Sequence, residues 1–247
     1  MSEIDIPESH PRYESLLTRH RIEEGVEKGI TSKQGLIAQG RGEAFDYLLG
    51  EQTIESAAAA ERAAAAHLLQ ADHAVLSING NVAALVPGEM VALAEATGAD
   101  LEVNLFNRTD ERMRAIADHL REHGAEEVLG LTADGRIPGL DHERAKVDKE
   151  GIGDADVVLV PLEDGDRAEA LAEMDKTELV VDLNPMSRSA QTATVPIVDN
   201  IIRAVPAITA HAEELAGDGA AQRRAIDDFD REAALAAAER AIREGED

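Results

Sequence analysis

Two periodicities alternate along this chain. Up to about residue 70 the apolar positions recur at helical spacing, beginning with Leu16, Leu17, Ile22 and Val26. Ser9-His10-Pro11 offers a cap and a first-turn proline for that helix, and Gly29 offers its stop. Ser32 can cap a second, short helix that ends near Gly40. Ile54 to Leu69 is rich in Ala, the strongest helix former, and predicts a helix packed closely on a neighbour. From about residue 73 the pattern changes. Short β-prone runs at His73–Ile78, Leu101–Phe106, Val128–Leu131, Val157–Leu162, Leu179–Leu183 and Val195–Val198 alternate with helical stretches at Gly88–Ala96, Thr109–His123, Arg167–Met174 and Asn200–Ala216. The second of these helices is the clearest. Thr109 can cap it, Asp110 and Glu111 suit the dipole of its first turn, Met113, Ile116, Ala117 and Leu120 form a buried stripe, and Gly124 ends it.

Strand–helix alternation predicts an α/β fold, a Rossmann-like parallel sheet covered on both faces, with an N-terminal helical segment added. The expected organisation is a helical segment at 1–70 packed on the core, a nucleotide-binding core at 71–216, and a charged tail at 217–247. Ala-rich sequence from Gln222 to Glu244 makes the tail a solvated helix or a partly disordered one. No internal repeat is present. Sheets of this kind bind ligands beyond the carboxyl ends of their strands, so the chemistry belongs in the loops that follow them.

Charge sharpens this picture. Fifty acidic residues stand against 24 basic ones, of which 5 are lysine, and the net charge is −26. Nucleic-acid affinity comes mainly from basic residues that neutralise phosphates, so a duplex-binding role is excluded. An acidic chain with a periodic apolar pattern reads as a folded protein adapted to high salt rather than a disordered one. Self-repulsion between the carboxylates should then unfold it as ionic strength falls. A melting temperature that stays flat from roughly molar salt, where charges are screened within a few ångströms, to tens of millimolar would reject this. The chain has no cysteine, which removes disulfides and thiol chemistry. No apolar run is long enough to span a membrane, and the acidic Met1–Asp5 start is unlike a signal peptide, so a cytoplasmic protein is expected.

Five segments can carry chemistry. In Gly35-Leu-Ile-Ala-Gln-Gly-Arg-Gly42, two glycines bracket Arg41, whose guanidinium fork suits a phosphate or carboxylate; a surface arginine in a helix–turn–helix is the plainer alternative. Asn79-Gly80-Asn81 follows the first strand and can turn backbone N–H groups toward an anion, although it matches neither common phosphate-loop motif. His142, Arg144 and Lys146 concentrate positive charge and read either as an anion-binding lid or as a solvated loop. Glu163, Asp164 and Asp166 can hold Mg²⁺ or orient an amine, or simply open a helix. Asp182-Leu-Asn-Pro-Met-Ser-Arg-Ser189 places a carboxylate, an amide, two hydroxyls and a guanidinium at the end of a buried strand, and Asn200-Ile201 opens the next helix. That set suits ribose and phosphate recognition. There is no HExxH, no GxSxG and no histidine pair at metal-ligand spacing on an evident helix.

These segments together resemble the archaeal phosphopantothenate synthetases, also called 4-phosphopantoate–β-alanine ligases. The resemblance runs through GLIAQGRGEAFDYLLGE, SINGNVAALVPGE, EVNLFNRT, IPGLDHERAKV, DVVLVPLEDGDR and VVDLNPMSRSAQTATVPIVDNIIRAVP, over about residues 6–210, and the tail adds nothing to it. It implies an ATP-dependent ligase of coenzyme A biosynthesis that joins 4-phosphopantoate to β-alanine through a phosphopantoyl-adenylate, with Mg²⁺ assisting and AMP and pyrophosphate released. It also implies a homodimer of Rossmann-like subunits. The ATP contacts it implies are Arg19, Arg41, Asp182, Leu183, Asn184, Arg188, Ser189, Asn200 and Ile201. Arg41 is the expected catalytic group, acting by charge. Asn79, Gly80, Asn81, His142, Arg144 and Lys146 are left for the substrates. One departure is Gln39, where the resemblance leads us to expect a histidine; glutamine there can hydrogen-bond but cannot carry charge. Two other classes stay open: a nicotinamide-dependent oxidoreductase, which the missing GxGxxG opposes, and a non-catalytic nucleotide-binding subunit.

Overall fold

The strands of the structure, a computed structural model that describes residues 6–7, 9–10, 12–161 and 165–245, are β1 (Ala74–Ile78), β2 (Asp100–Val103), β3 (Gly135–Arg136), β4 (Lys146–Val147), β5 (Val157–Pro161), β6 (Thr177–Val181) and β7 (Val195–Ile197). Five of them form one parallel sheet in the order β2-β1-β5-β6-β7. Register shows why these runs are so apolar. Leu101, Leu76, Leu159, Leu179 and Val195 lie side by side across the sheet and face one layer of helices. The alternate residues Val75, Val158 and Val180 face the other layer. Both faces are buried, as a parallel sheet with crossover helices requires.

The helices are α1 (Tyr13–Glu27), α2 (Lys33–Leu49), α3 (Glu55–Gln70), α4 (Gly80–Leu85), α5 (Pro87–Thr97), α6 (Asp110–Glu122), α7 (Gly165–Ala172), α8 (Arg188–Thr192), α9 (Ile201–Leu215), α10 (Gly219–Asp227) and α11 (Arg231–Glu244). On one face α3, α5, α6 and α9 share the main core. Ala60 and Ala63–Ala66 of α3 are buried there, so the Ala-rich helix does pack closely. The other face is covered by α7 and by residues 137–155, which include the antiparallel ribbon β3–β4. None of the described helices is long and apolar enough to cross a membrane.

Several expectations change in the folded chain. The second helix does not stop near Gly40. It runs unbroken to Leu49, through Gly40, Arg41 and Gly42. Each glycine costs the helix up to about 1 kcal/mol relative to Ala; Gly40 faces open space, and only Gly42 is closely packed. A Cβ on Gly42 would stand 3.2 Å from the Asn200 amide nitrogen. Arg41 is therefore a mid-helix residue, not the tip of a turn. Val128–Leu131 is not a strand; only Leu129 bridges to Glu102. Gly130 turns the chain there with a φ of +93°. The first helix begins after Arg12 rather than at the Ser9 cap, and Pro11 lies outside the described residues. The tail forms α10 and α11, with Gln222, Ala234, Leu235 and Ala238 buried. Leu235 and Ala238 close a small core with Phe45, Leu49, Ile54 and Ala57, so α11 is packed onto α2 and α3.

Candidate active site

Strand order reverses at β1: the chain leaves it for β2 on one side and returns to β5 on the other. A cavity of about 720 Å³ opens beyond the carboxyl ends of the strands at that reversal. It has two ends. One is built by the turn after β6, where Asp182, Leu183 and Asn184 meet Arg41 from α2. The other is built by Asn79, Gly80 and Asn81 after β1, by Leu105, Phe106 and Asn107 after β2, and by Arg112 and Arg144.

At the first end the turn is held by its own side chains. Asp182 accepts a hydrogen bond from the Asn184 N–H at 3.0 Å and from the Ser187 hydroxyl at 2.5 Å, and Asn184 accepts one from the Met186 N–H. Burial pushes the Asp182 carboxyl up, against the two hydrogen bonds and the nearby Arg41 charge. Arg41 itself makes no hydrogen bond or ion pair among the described residues and is exposed, so its donors are free for a ligand. The tail helix reaches the same cavity with Glu239, Ile242 and Arg243; Glu239 and Arg243 pair at 2.6 Å.

At the other end Asn79 caps α4, accepting from the N–H groups of Asn81 and Val82, and its amide donates to the Pro161 carbonyl at 3.0 Å. Asn81 accepts from the Thr31 hydroxyl at 2.6 Å. Gly80 is required because the α1–α2 turn passes so close: a Cβ there would stand 2.6 Å from the Ile30 carbonyl oxygen. Arg144 is brought to the wall by a chain of buried anchors. Asn104, just after β2, donates to the carbonyls of Arg144 at 3.2 Å and Lys146 at 3.0 Å. Glu102 accepts from the N–H groups of Asp148 at 3.1 Å and Ile152 at 2.6 Å, and Asp148 in turn holds the Gly130 N–H at 2.6 Å. Burial raises the Glu102 carboxyl to about 7. The segment carrying His142, Arg144 and Lys146 is thus pinned to the sheet.

The remaining candidates do not line this cavity. Arg19 lies on the opposite side of α2 from Arg41, half exposed and ion-paired with Glu43, beside a separate recess of about 140 Å³ that Gln39 also lines. Arg188 pairs with Asp166 and with Glu169 at 3.5 Å. Ser189 and Ile201 are buried. Asn200 caps α9 and gives its amide to Asp46 at 3.0 Å, inside a buried network in which Arg203 joins Asp46 at 2.8 Å and Asp199 at 2.6 Å. His142 stacks on Phe106 with ring centroids 5.4 Å apart, and Lys146 pairs with Glu143 at 2.8 Å. Glu163 and Asp164 lie outside the described residues. Among the described residues no group of three His, Asp or Glu is arranged to hold a metal ion.

Sequence reasoning missed Arg112, Asn107 and the tail residues. A signal for Arg112 was present. It occupies the first turn of α6, where the helix dipole disfavours a cation, beside two acids that follow the rule. The tail gave no comparable signal, because its charge reads as a solvated face.

The wall's charge is the inverse of the chain's. Arg41, Arg112, Arg144 and Arg243 face it against only Asp182 and Glu239 among the described residues, in a protein of net charge −26. Known proteins resemble this chain over most of its length. Residues 56–245 match the family model described as phosphopantothenate/pantothenate synthetase, so the family pattern extends through the tail that the resembling strings did not reach. The chain is 61% identical over 213 residues to the 4-phosphopantoate–β-alanine ligase of Thermococcus kodakarensis, covering 86% of this chain and 82% of that one. It is 58% identical over 211 residues to the protein of the same name from Methanosarcina mazei, covering 85% and 83%. The one from Methanospirillum hungatei is 54% identical over 213 residues, covering 86% and 87%. Relatives this similar over this much of the chain, together with the family match, leave one assignment: the chain belongs to the phosphopantothenate/pantothenate synthetase family.

Proposed function

We propose that this protein is an ATP-dependent ligase that condenses 4-phosphopantoate with β-alanine to 4'-phosphopantothenate in coenzyme A biosynthesis. The observation that carries the reading is the arginine-rich cavity at the strand reversal of an otherwise acidic chain. Both ATP and 4-phosphopantoate are polyanions, and a site that gathers them must supply fixed positive charge. A carboxylate oxygen of 4-phosphopantoate attacks the α-phosphorus of ATP, giving the acyl-adenylate and pyrophosphate. The free amine of β-alanine then attacks the acyl carbon, AMP leaves with the bonding pair, and the amine gives up a proton. Activation places new negative charge beside phosphates. Arg41, exposed to the cavity and without an ion pair among the described residues, offsets that charge without proton transfer.

In this reading the nucleotide lies at the β6 end, on Asp182, Leu183, Asn184 and Arg41. Asn200 and Ile201 support that end from behind α2, and Ser189 and Arg188 from α8. Asp182 is the carboxylate there that can take an oxygen position on Mg²⁺, alongside the ATP phosphates, which fits the few protein ligands this ion commonly takes. Bound there, the ion supplies neutralisation of phosphate charge. Asn79, Gly80, Asn81 and Arg144 belong to the acid substrate's end, with His142 and Lys146 behind them. Assembly as a homodimer belongs to the same reading. It is supported by Ile37 and Tyr47, which α2 leaves exposed, and by Arg19, which lines a separate recess on the far side of α2 rather than its own chain's cavity. A turnover assay tests the proposal: AMP should appear only when ATP, 4-phosphopantoate and β-alanine are all present. AMP release that ignores either acid, or nicotinamide reduction in its place, would overturn it.

A further inference from the structure

We propose that His119 and His123, one turn apart at the C-terminal end of α6, bind a borderline transition-metal dication such as Zn²⁺ through their Nε2 atoms. The site lies outside the cavity described above. The pair stands at i, i+4, the spacing at which two imidazoles on one helix share an ion. This corrects the expectation that no histidine pair has metal-ligand spacing on a helix. His123 caps α6, and its N–H still bonds back to the Leu120 carbonyl at 3.0 Å, so the helical path reaches it.

The hydrogen bonds of the two rings leave the same atom bare in each. His123 Nδ1 lies 2.8 Å from the His119 carbonyl oxygen, which can only accept, so the ring proton sits on Nδ1. His119 Nδ1 lies 3.5 Å from the Glu122 carboxylate, which likewise only accepts. In both neutral rings the lone pair is therefore on Nε2, and neither Nε2 makes a hydrogen bond among the described residues. A ring nitrogen anchored on a carbonyl or a carboxylate, with the other left open, is the arrangement that metal-bound histidines adopt. The rings stand close, with centroids 4.5 Å apart and planes at 72°. Burial, then the neighbouring His123, hold His119 below its ordinary pKa, so the neutral form that a metal needs is its resting form.

Both rings line a cavity of about 570 Å³ between α1, α5 and α6. The Cδ2 edge of His123, next to Nε2, faces α5: a Cβ on Gly88 would stand 3.7 Å from it. Charge around the cavity is balanced. Arg21, tied to the Leu85 carbonyl at 2.9 Å, and Lys28, 3.9 Å from Glu24, stand against Glu24 and Glu89. The C-terminal end of α6 adds the negative pole of its dipole, which favours a cation. Balanced charge gives no grip on a hard ion such as Mg²⁺, whereas two imidazole lone pairs favour Zn²⁺ and Cu²⁺. No third histidine or acid is arranged around the pair among the described residues, so water completes the shell.

The test is calorimetry of Zn²⁺ on the full chain after chelator treatment, without ATP, beside His123→Gln and His211→Gln. His123 is exposed, so its variant keeps the core intact. The parent should bind one Zn²⁺ per chain; Cu²⁺ should displace it and excess Mg²⁺ should not. His123→Gln should weaken binding by at least roughly tenfold to a hundredfold, the cost of losing a mere supporting partner of a ligand. His211→Gln, which alters a histidine of α9 beside Glu214, should bind as the parent does. Zn²⁺ should also raise the melting temperature of the parent and not of His123→Gln, because it binds the folded pair. One equivalent of Cu²⁺ should show two coordinated nitrogens by electron paramagnetic resonance in the parent and one in His123→Gln. Equal Zn²⁺ affinity in the parent and His123→Gln overturns the proposal. Displacement by Mg²⁺, or no saturable binding below millimolar Zn²⁺, does the same.

Discussion

Arg41→Ala is expected to cut AMP release by tens to a thousandfold while leaving the melting temperature nearly unchanged. The two halves of this prediction have different physical origins. Arg41 has no hydrogen bond or ion pair to lose among the described residues and sits exposed on α2, where Ala is at least as good a helix former. Stability should therefore hold. Turnover should not, because one preorganised donor aimed at charge that develops in the transition state is worth about 2–4 kcal/mol. Steady-state kinetics beside a thermal melt checks both. Near-normal turnover in the folded variant would remove Arg41 from the chemistry. Because Arg41 is held mid-helix and not on a mobile turn, Arg41→Lys should recover little, as lysine cannot present the planar fork.

The second large effect is on stability. Glu61 of α3 is buried, with one carboxyl oxygen sealed from solvent and without a hydrogen-bond partner. Burial, and then the Asp199 charge, raise its pKa from 4.5 to about 9, against the pull of Arg203. A carboxyl raised in the folded state favours folding while it stays protonated. Its contribution is complete below 4.5, the unfolded value, and is lost as pH rises toward about 9. Glu61→Gln keeps the shape of the neutral acid and removes the titration. The parent should lose stability relative to this variant by roughly 2–3 kcal/mol between pH 7 and pH 9, since each pH unit in the window is worth about 1.4 kcal/mol. Denaturant melts of both proteins at several pH values give the difference directly. Parallel curves would show that Glu61 is ionised in the native state, held by Arg203.

Local pattern was enough for much of the architecture. The strands β1, β2, β5, β6 and β7 were legible because a sheet buried on both faces leaves no room for polar positions, so each strand is a short apolar run. Helix α6 was legible in full, cap, stripe and stop, because each of its signals is a contact within a few residues. Thr109 accepts the Arg112 N–H at 3.3 Å, and Met113, Ile116, Ala117 and Leu120 are buried. The turn after β6 was marked as a ligand site for the same reason: strand end and polar cluster are adjacent in the chain, and Asp182 and Asn184 do reach the cavity.

What the sequence by itself determined is therefore the alternation, the parallel sheet and the place along each strand where chemistry can occur; those follow from side-chain period and burial, which neighbours in the chain record. What only the tertiary structure decided is which distant charges share one cavity. Arg41 read as a turn because two glycines flank it, yet the helix persists, and Gly42 serves a contact with Asn200, far along the chain. Arg112 was not singled out in the sequence; the passage of Ile30 over Gly80 is what places it at the cavity. Arg243 and Glu239 read as a solvated tail until Leu235 and Ala238 found the core of Phe45, Leu49 and Ile54. A guanidinium looks the same in sequence whether water or a ligand pocket surrounds it; the difference is its burial and its missing counter-charge, and both are set by chain segments tens to hundreds of residues away.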